Sequence, residues 1–179
     1  MPPDDNISFF NSQRTLQRLN RTTLNKGGTI SCNSPVTSGS ASVCTLTPDT
    51  GWYVAALSDN GDVLSQLSGN KYTITNITAN HDVSVTYQEY FVRRVSADNS
   101  TTDYYTKVQG AFDKAVNGDK IRLLDMTFPE TLTFNKPSVS ILLEGGYASG
   151  FANNTGYSLL GGKLVIQNGK VIMRQIKVK

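Results

Sequence analysis

The feature of this chain that most constrains its fold is an amphipathic segment followed by a series of short alternating strands. Between positions 103 and 116 the apolar side chains recur at spacings of three and four, so they share one face of a helix: Tyr105, Val108, Ala111, Phe112, Ala115 and Val116. Asn117 and Gly118 end this segment, and a strand-like run begins at Asp119. The pattern predicts a helix over 103–116 that covers the open end of a stack of β coils and its unpaired strand edge.

The segments after the helix alternate between apolar and polar residues and are separated by Gly, Asn or Pro. Their apolar positions are Ile121/Leu123, Leu132/Phe134, Val139/Ile141/Leu143, Leu164/Ile166 and Val171/Met173. Each segment is too short to bury its apolar face alone, so we expect successive turns of one coil to stack on each other. Residues 148–160, rich in Asn and Gly, are predicted to form a loop that leaves the stack and returns to it.

The chain stops at Lys179 inside a strand-like run, residues 171–178. We therefore expect a fragment of a longer protein whose further coils follow. The last coil should then present an unpaired edge strand, through which the protein can associate with a second copy or at which it frays.

A change of pattern near Tyr87 favours two small domains. Short strand-like runs precede it, at residues 15–24, 28–32, 41–47, 52–58, 71–75 and 81–87. The predicted organisation is a polar tail over 1–14, a β module over 15–88, and a helix with the first β coils over 89–179. The fold class predicted for the whole chain is mainly β.

Charge and hydropathy exclude two classes of partner. The net charge is +3 with 17% charged residues, and Lys and Arg are scattered apart from Arg93-Arg94, which is unlike the dense basic patch of a nucleic-acid binder. No apolar run approaches the roughly 18 residues that span a bilayer.

The N-terminal residues, Met1-Pro-Pro-Asp-Asp5, show no signal peptide. Abundant Ser, Thr, Asn and Gly at turns are typical of a β protein in an aqueous, often extracellular, setting.

Cys32 and Cys44 are the only cysteines. The spacer between them contains Pro35 and Gly39, so a hairpin would bring the two sulfurs together. A disulfide would close a loop of about 13 residues, worth about 3 kcal/mol in the chain-entropy model. Two unpaired buried thiols are the alternative, whereas zinc would need two more ligands that the single His81 does not supply. The disulfide is favoured, and with it folding outside the cytoplasm.

Three stretches in the first half of the chain together match the pattern of one known family. They are Gly27-Gly-Thr-Ile30, the run from Gly39 through Cys44-Thr-Leu-Thr-Pro48 to Gly51-Trp-Tyr53, and the strand from Tyr72 to Asn80-His-Asp-Val-Ser-Val-Thr-Tyr87. Together they resemble the divergent internalin B-repeat family over about residues 15–88. The resemblance implies a β-grasp-like module of bacterial surface and secreted proteins that supplies spacing or adhesion, without catalysis.

Residues 89–179 show a second set of motifs. These are Gln109-Gly-Ala-Phe-Asp-Lys-Ala-Val116, Asn117-Gly-Asp-Lys-Ile-Arg-Leu123, Pro129-Glu-Thr-Leu-Thr-Phe134, Ser138 to Gly145-Gly-Tyr147, and Gly162-Lys-Leu-Val-Ile166. They resemble the opening of bacterial right-handed parallel β-helix proteins. Because lyases, hydrolases, adhesins and inert stalks all use that fold, the resemblance implies architecture and leaves the activity open.

Acidic side chains offer the one route to catalysis. Asp125, Glu130 and Glu144 each lie near a strand end, and glycoside cleavage needs two carboxylates about 5 to 9.5 Å apart. Acidic residues at turns are more often solvated, so we predict no catalytic residue and no cofactor. The turn Asp59-Asn-Gly-Asp62 lacks the Glu that an EF-hand-type calcium loop requires, and His81 is interpreted as a structural residue at a strand start.

Two groups of aromatic residues were considered as platforms for sugar rings. Trp52, Tyr53, Tyr72, Tyr87 and Tyr90 are assigned to packing, because most aromatic residues of a small β module lie in its core. Tyr147, Phe151 and Tyr157 lie in or beside the Asn- and Gly-rich loop, with few apolar neighbours in sequence. These three are the predicted ligand-binding residues, on the condition that they are exposed.

The sequence therefore predicts a non-enzymatic scaffold or adhesion module on the bacterial cell surface or secreted from the cell. Its expected partners are carbohydrate or another surface protein. The alternative is the N-terminal fragment of a β-helix polysaccharide lyase or hydrolase whose active coils lie beyond Lys179. That alternative requires Asp, Arg or Glu stacked at matching positions of the successive coils beyond Lys179, so the sequence past that point would discriminate.

Overall fold

The structure, a computed structural model, describes residues 15–179. Strands predominate over helices in this range, which confirms the predicted mainly-β class. The predicted tail, residues 1–14, lies outside the described residues. Across 15–179, the helices are all too short or too polar to cross a membrane.

The chain divides into two compact units. The N-terminal unit comprises the described residues up to Leu24 together with Thr29–Thr47 and Ala56–Thr86, and the C-terminal unit comprises Asn25–Gly28, Pro48–Ala55 and Tyr87–Lys179. Two short segments upstream of residue 88 thus group with the C-terminal unit. Local packing accounts for this, because the Trp52 ring lies so close to Gly27 that a Cβ there would overlap it, and the Tyr53 ring stacks on Tyr90.

The strands of the first part of the chain form three small sheets. They are β1 (Leu16–Gln17), β2 (Leu19–Thr23), β3 (Gly28–Cys32), β4 (Val36–Thr37), β5 (Ser40–Pro48), β6 (Trp52–Asp59), β7 (Lys71–Ile77) and β8 (His81–Glu89), with a short 3-10 helix at Leu64–Gln66. The strand orders are β2-β8-β6, β3-β5-β7 and β1-β4. Strand β2 runs parallel to β8, and β5 runs antiparallel to β7.

The core of the N-terminal unit is small and is supported by a covalent bond. Leu46, Leu57, Ile77 and Val85 are almost completely buried. A disulfide joins Cys32 at the end of β3 to Cys44 in the neighbouring strand β5, with the two Cα atoms 4.0 Å apart. The predicted disulfide is confirmed, and the alternative of two free thiols is wrong.

The C-terminal unit is built from two sheets and one helix. Its elements are β9 (Val92–Val95), β10 (Thr102–Tyr105), α1 (Val108–Lys114), β11 (Lys120–Leu124), β12 (Thr127–Phe128), β13 (Leu132–Tyr147), a 3-10 helix at Ser149–Phe151, β14 (Ser158–Leu160), β15 (Leu164–Arg174) and β16 (Ile176–Val178). One sheet has the order β10-β9-β11-β13-β15, and the other has the order β12-β14-β16. The pairs β11/β13, β13/β15, β12/β14 and β14/β16 are all parallel.

Side chains at matching positions of successive parallel strands lie in line. Leu143 of β13 is in register with Ile121 of β11 and with Met173 of β15. Ile121 and Leu143 are fully buried, whereas Met173 at the same position of the last strand is 44% exposed. Each strand therefore covers the apolar side chains of its neighbour, and the last one has no neighbour among the described residues.

The helix is shorter than predicted. It begins at Val108, whereas Thr102–Tyr105 forms strand β10 and pairs antiparallel with β9. Two adjacent tyrosines favour a strand, and the backbone hydrogen bonds to β9 add to that preference. Glu130 fixes the start of the helix, because its carboxylate accepts the N–H groups of Val108 (2.9 Å) and Gln109 (3.2 Å).

The core-facing side of the helix agrees with the predicted stripe only in part. Val108, Ala111 and Phe112 are buried, and the Phe112 ring meets the Phe134 ring of β13 edge to face, with centroids 5.4 Å apart. The helix ends before Val116, which is 55% exposed. The helix thus packs against the apolar side chains of the stacked strands, and its role in covering the open end of a coil stays a prediction.

The predicted loop over 148–160 is more ordered than expected. Its end, Ser158–Leu160, is strand β14 in the centre of the second sheet. Its beginning packs inward, because Phe151 is 3% exposed and contacts Leu124 and Tyr147. Only the intervening residues leave the stack.

Candidate functional site

A groove beside strand β10 brings together aromatic and polar side chains of the C-terminal unit. We call it the tyrosine groove; its volume is about 500 Å³ and it is lined by Tyr90, Tyr104, Tyr105, Thr106, Lys107, Gln109, Gly110 and Asp113. Strand β10 is the edge strand of its sheet and helix α1 follows directly, so the groove lies between a strand edge and a helix.

The positions of the tyrosines follow from the local structure. Tyr104 and Tyr105 are adjacent in β10, so their side chains point to opposite faces of the sheet. Tyr105 packs against the main core of the unit, while Tyr104 packs against the cluster that contains Phe151. Both side chains are half-buried, so each presents part of its ring to the groove.

The tyrosine groove continues into a row of neighbouring rings, of which Tyr104 and Tyr90 are stacked and Tyr90 and Tyr53 are tilted. The Tyr104 and Tyr90 centroids are 5.7 Å apart, and those of Tyr90 and Tyr53 are 4.6 Å apart. Burial, followed by the neighbouring Tyr90 hydroxyl, raises the pKa of Tyr53 above its ordinary value. The Tyr53 phenol is therefore neutral at physiological pH, and the row presents aromatic surface with polar hydroxyl edges.

Helix α1 supplies the polar side of the groove. The Gln109 side-chain amide donates to the Asp113 carboxylate at 2.7 Å and to the Thr133 carbonyl at 3.0 Å, which fixes its orientation. Lys107 and Asp113 are exposed. Gly110 lies between them and against the Tyr105 ring, so a larger side chain at this position would occupy the groove.

This arrangement has the properties of a site for a hydroxyl-rich ring. Aromatic faces pack against the apolar C–H face of a sugar, and a few fixed polar groups at the rim pair with its hydroxyls. Carboxylate, amide and ammonium groups are all present within one turn and a half of helix.

The structure places the three predicted ligand-binding residues in different environments. Tyr147 and Phe151 are 7% and 3% exposed, so the exposure on which the prediction depended fails for them. They are buried because Phe151 turns inward to pack on Tyr147, with ring centroids 6.1 Å apart. Tyr157 is 54% exposed, and its role in binding stays a prediction.

Tyr157 lies in a second, smaller groove. This groove has a volume of about 420 Å³ and is lined by Asp125, Met126, Thr127, Gly156, Tyr157, Leu159 and Lys177. The Lys177 ammonium sits 4.4 Å from the centroid of the Tyr157 ring. Since a cation already covers this single ring, the second groove offers less free aromatic surface than the tyrosine groove.

The three carboxylates considered for catalysis have separate surroundings. Glu130 holds the start of helix α1, and Asp125 is exposed at the second groove. Glu144 accepts the Tyr147 hydroxyl at 2.5 Å and lies 3.6 Å from the Arg122 Nε atom. Two of the three are thus engaged in contacts that hold the fold.

His81 begins strand β8, as predicted, but its partner was not foreseen. Its Nδ1 atom lies 2.8 and 2.9 Å from the two oxygens of Asp59, which also accepts the Tyr72 hydroxyl at 2.9 Å. Asp59 had been assigned to turn chemistry alone. Within residues 15–179 no group of three or more His, Cys, Asp or Glu side chains is arranged to hold a metal ion.

The sequence pattern did not predict the tyrosine groove. It places Tyr104 and Tyr105 together in the predicted helix over 103–116 and assigns Tyr90 to packing. The available signal was the adjacent pair Tyr104-Tyr105 after two threonines, because that composition favours an edge strand over the first turn of a helix.

The chain was compared with protein-family models, with curated proteins and with solved structures, and none of the three comparisons found a match. The function must therefore be argued from the geometry of the molecule itself.

Proposed function

We propose that this chain is a non-enzymatic segment of an extracellular bacterial surface or secreted protein, serving as a scaffold or adhesion module that contacts carbohydrate. The observation that carries the proposal is the tyrosine groove, where Tyr90, Tyr104 and Tyr105 face the polar side chains of helix α1. Stacked aromatic rings beside fixed polar groups recognise sugar rings without any catalytic group.

The finer architecture belongs to the same proposal. The C-terminal unit is the start of a right-handed parallel β-helix, supported by the parallel registers of β11, β13 and β15 and by the helix packed on their apolar face. The N-terminal unit is a β-grasp-like module of the B-repeat kind, supported by its small three-stranded sheets and its disulfide.

The disulfide also supports the extracellular location. Cys44 is fully buried and Cys32 is 6% exposed, so the bond lies within the core of the N-terminal unit. Structural disulfides of small domains persist in oxidising compartments and are rare in the cytoplasm of mesophiles. A module of this size gains a large fraction of its stability from one such bond.

A glycan array probed with the described chain tests the proposal, followed by calorimetric titration of each glycan that binds. Tyr104→Ala should weaken binding about tenfold, because it removes one of the three tyrosine rings that line the groove. Gly110→Leu should weaken binding at least as much, since it keeps every tyrosine, moves the Tyr105 ring by only a few tenths of an ångström and fills the groove.

Tyr157→Ala is the matched control, because it removes an exposed tyrosine from the second groove of the same unit. It should bind like the parent protein, and the thermal melting of all variants should report intact folding. The proposal is wrong if no glycan binds, or if binding survives both groove variants and is lost in Tyr157→Ala.

A further inference from the structure

Beside the tyrosine groove, one row of charged residues crosses the outer face of the five-stranded sheet. Arg93 of β9 is in register with Arg122 of β11, which is in register with Glu144 of β13. Glu144 in turn is in register with Arg174 of β15. We call Arg93, Arg122 and Arg174 the arginine row.

The row faces away from the core. Ile121 and Leu123, on either side of Arg122, are fully buried in the main core, so Arg122 points to the opposite face. Residues in register across neighbouring strands share a face and lie about 4.8 Å apart per strand. Three cations and one carboxylate therefore form a straight line across the sheet.

The charges along this line are not balanced. Arg93 and Arg122 are directly opposite each other on neighbouring strands, an arrangement in which like charges repel. Glu144 is the single carboxylate in the row, and it already accepts the Tyr147 hydroxyl at 2.5 Å. Its distance of 3.6 Å from the Arg122 Nε atom is too long for a hydrogen bond.

Both guanidinium groups lie over aromatic rings. The Arg93 guanidinium carbon is 4.9 Å from the Phe151 centroid, and that of Arg122 is 5.3 Å from the Tyr147 centroid. A guanidinium stacked by its face keeps its donors in its own plane, where they match a carboxylate. The Nε atoms of Arg93 and Arg122 are buried and have no hydrogen-bond partner.

The row adjoins the groove through Tyr104. Tyr104 of β10 is in register with Arg93, and its ring lies 6.2 Å from Phe151, the ring on which the Arg93 guanidinium stacks. A chain of sugar rings that occupies the groove would thus meet the first arginine at the next strand. This adjacency selects a saccharide over other anionic polymers.

We propose that the arginine row binds the carboxylate groups of an acidic polysaccharide whose neighbouring ring occupies the tyrosine groove. This inference rests on the proposed function for its sugar component and on the charge pattern of the row for its acidic component.

Oligogalacturonate and its methyl ester of the same length are suitable probes, because they differ only in the charge of the carboxyl group. The protein should bind the acid at least about tenfold more tightly than the ester at low salt, and the difference should shrink as the salt concentration rises. In Arg93→Gln/Arg122→Gln the preference should disappear. Lys163→Gln/Lys170→Gln, which removes two exposed cations outside the row, should retain it.

A second variant does not depend on removing stacked side chains. Glu144→Gln removes the competing carboxylate and keeps an oxygen that can accept the Tyr147 hydroxyl. It should bind the acid more tightly than the parent protein and the ester unchanged. Weaker binding of the acid in this variant would contradict the inference.

The outcomes separate the two proposals. Equal binding of acid and ester that depends on Tyr104 overturns the arginine row and supports the groove. Acid binding that depends on the two arginines and survives Gly110→Leu supports the row and overturns the groove. No binding of either probe overturns the arginine row, whereas the glycan array decides the groove, and equally tight binding of an oligothymidylate of the same charge overturns the choice of a saccharide.

Discussion

The two units solve the same problem, a β structure with little core, in different ways. The N-terminal unit connects neighbouring strands with a disulfide whose sulfurs lie in its core. The C-terminal unit relies on repetition, because each parallel strand covers the apolar side chains of the one before it and helix α1 packs against the same core. The difference shows that a small closed module gains from a covalent bond, whereas a stack depends on its neighbours.

The largest effect should come from a cavity at the contact between helix and stack. Phe134 is fully buried and meets Phe112 edge to face, so Phe134→Ala should lower the free energy of unfolding of the C-terminal unit by about 3–5 kcal/mol. Hydrogen exchange measured by mass spectrometry resolves the two units separately. The amides of β5 and β7 should keep their protection, and a uniform loss over the whole chain would show that the units do not unfold separately.

Removal of the disulfide should have the next largest effect, in the other unit. Cys32→Ala/Cys44→Ala opens a loop with a sequence separation of 12 and should cost the N-terminal unit about 3 kcal/mol. Denaturant titration followed by hydrogen exchange checks this value. Chemical reduction of the unaltered protein serves as the control, because it breaks the bond without changing the sequence. Unchanged protection of β5 and β7 in both experiments would contradict the assigned role of the bond.

A smaller effect should follow from the carboxylate that fixes the start of helix α1. Glu130→Ala leaves the N–H groups of Val108 and Gln109 without this acceptor and should cost about 1 kcal/mol, the usual value for a lost cap. The amides at the start of the helix should exchange faster than those of β13. Lys114→Ala, on the exposed side of the same helix, is the control and should leave their exchange unchanged.

The same helix shows what the sequence can and cannot predict. Its apolar periodicity predicted a helix against the core, and Val108, Ala111 and Phe112 do face the core. The acceptor that fixes its start, Glu130, is 22 residues away from Val108, and no local pattern indicates such a contact. Strand β10 was missed for the same reason, because its pairing with β9 is a tertiary contact that outweighs the local signal.

The candidate site was harder to predict than the fold. The disulfide could be predicted, because the spacing of the two cysteines and the turn residues between them require only a hairpin to bring the sulfurs together. The exposure of the aromatic residues could not be predicted, since the local sequence does not distinguish an exposed tyrosine from a buried one. Phe151 was expected in an open loop, yet its backbone adopts a positive φ of 58° and its ring turns into the cluster with Leu124 and Tyr147.

High pH should affect both units alike. Burial first, and then the contact with Asp59, raises the pKa of Tyr72 from 10.0 to about 12. Burial and the contact with Glu144 raise the pKa of Tyr147 to about 12 in the C-terminal unit. A raised pKa means that the folded state favours the neutral phenol, so the stability it contributes is fully present below pH 10 and is lost as the pH rises toward 12.

Denaturant titrations between pH 8 and 12.5 check this expectation. Tyr72→Phe should flatten the pH dependence of the N-terminal unit alone, and Tyr147→Phe should flatten that of the C-terminal unit alone. Ultraviolet titration of the parent protein and of each variant should show that the phenol lost in the variant ionises near pH 12. Ionisation of Tyr72 or Tyr147 near pH 10 would show that the phenol in question is not buried in the folded protein.

The smallest effect on stability should appear in strand β15, which has no neighbouring strand on one side among the described residues. Met173 occupies the same position in its strand as the buried Leu143, yet it is 44% exposed, so Met173→Ala should cost well under 1 kcal/mol in the monomer. Leu143→Ala is the matched control and should cost about 2–5 kcal/mol.

Both values are measured over a hundredfold range of protein concentration, with sedimentation velocity at each step. If the edge strand pairs with a second copy, as the sequence predicts, the cost of Met173→Ala should grow with concentration in step with the dimer fraction, because pairing buries this side chain. If Met173→Ala costs as much as Leu143→Ala in a protein that remains monomeric, Met173 must already be buried. The exposure of strand β15 on which this comparison depends would then be wrong.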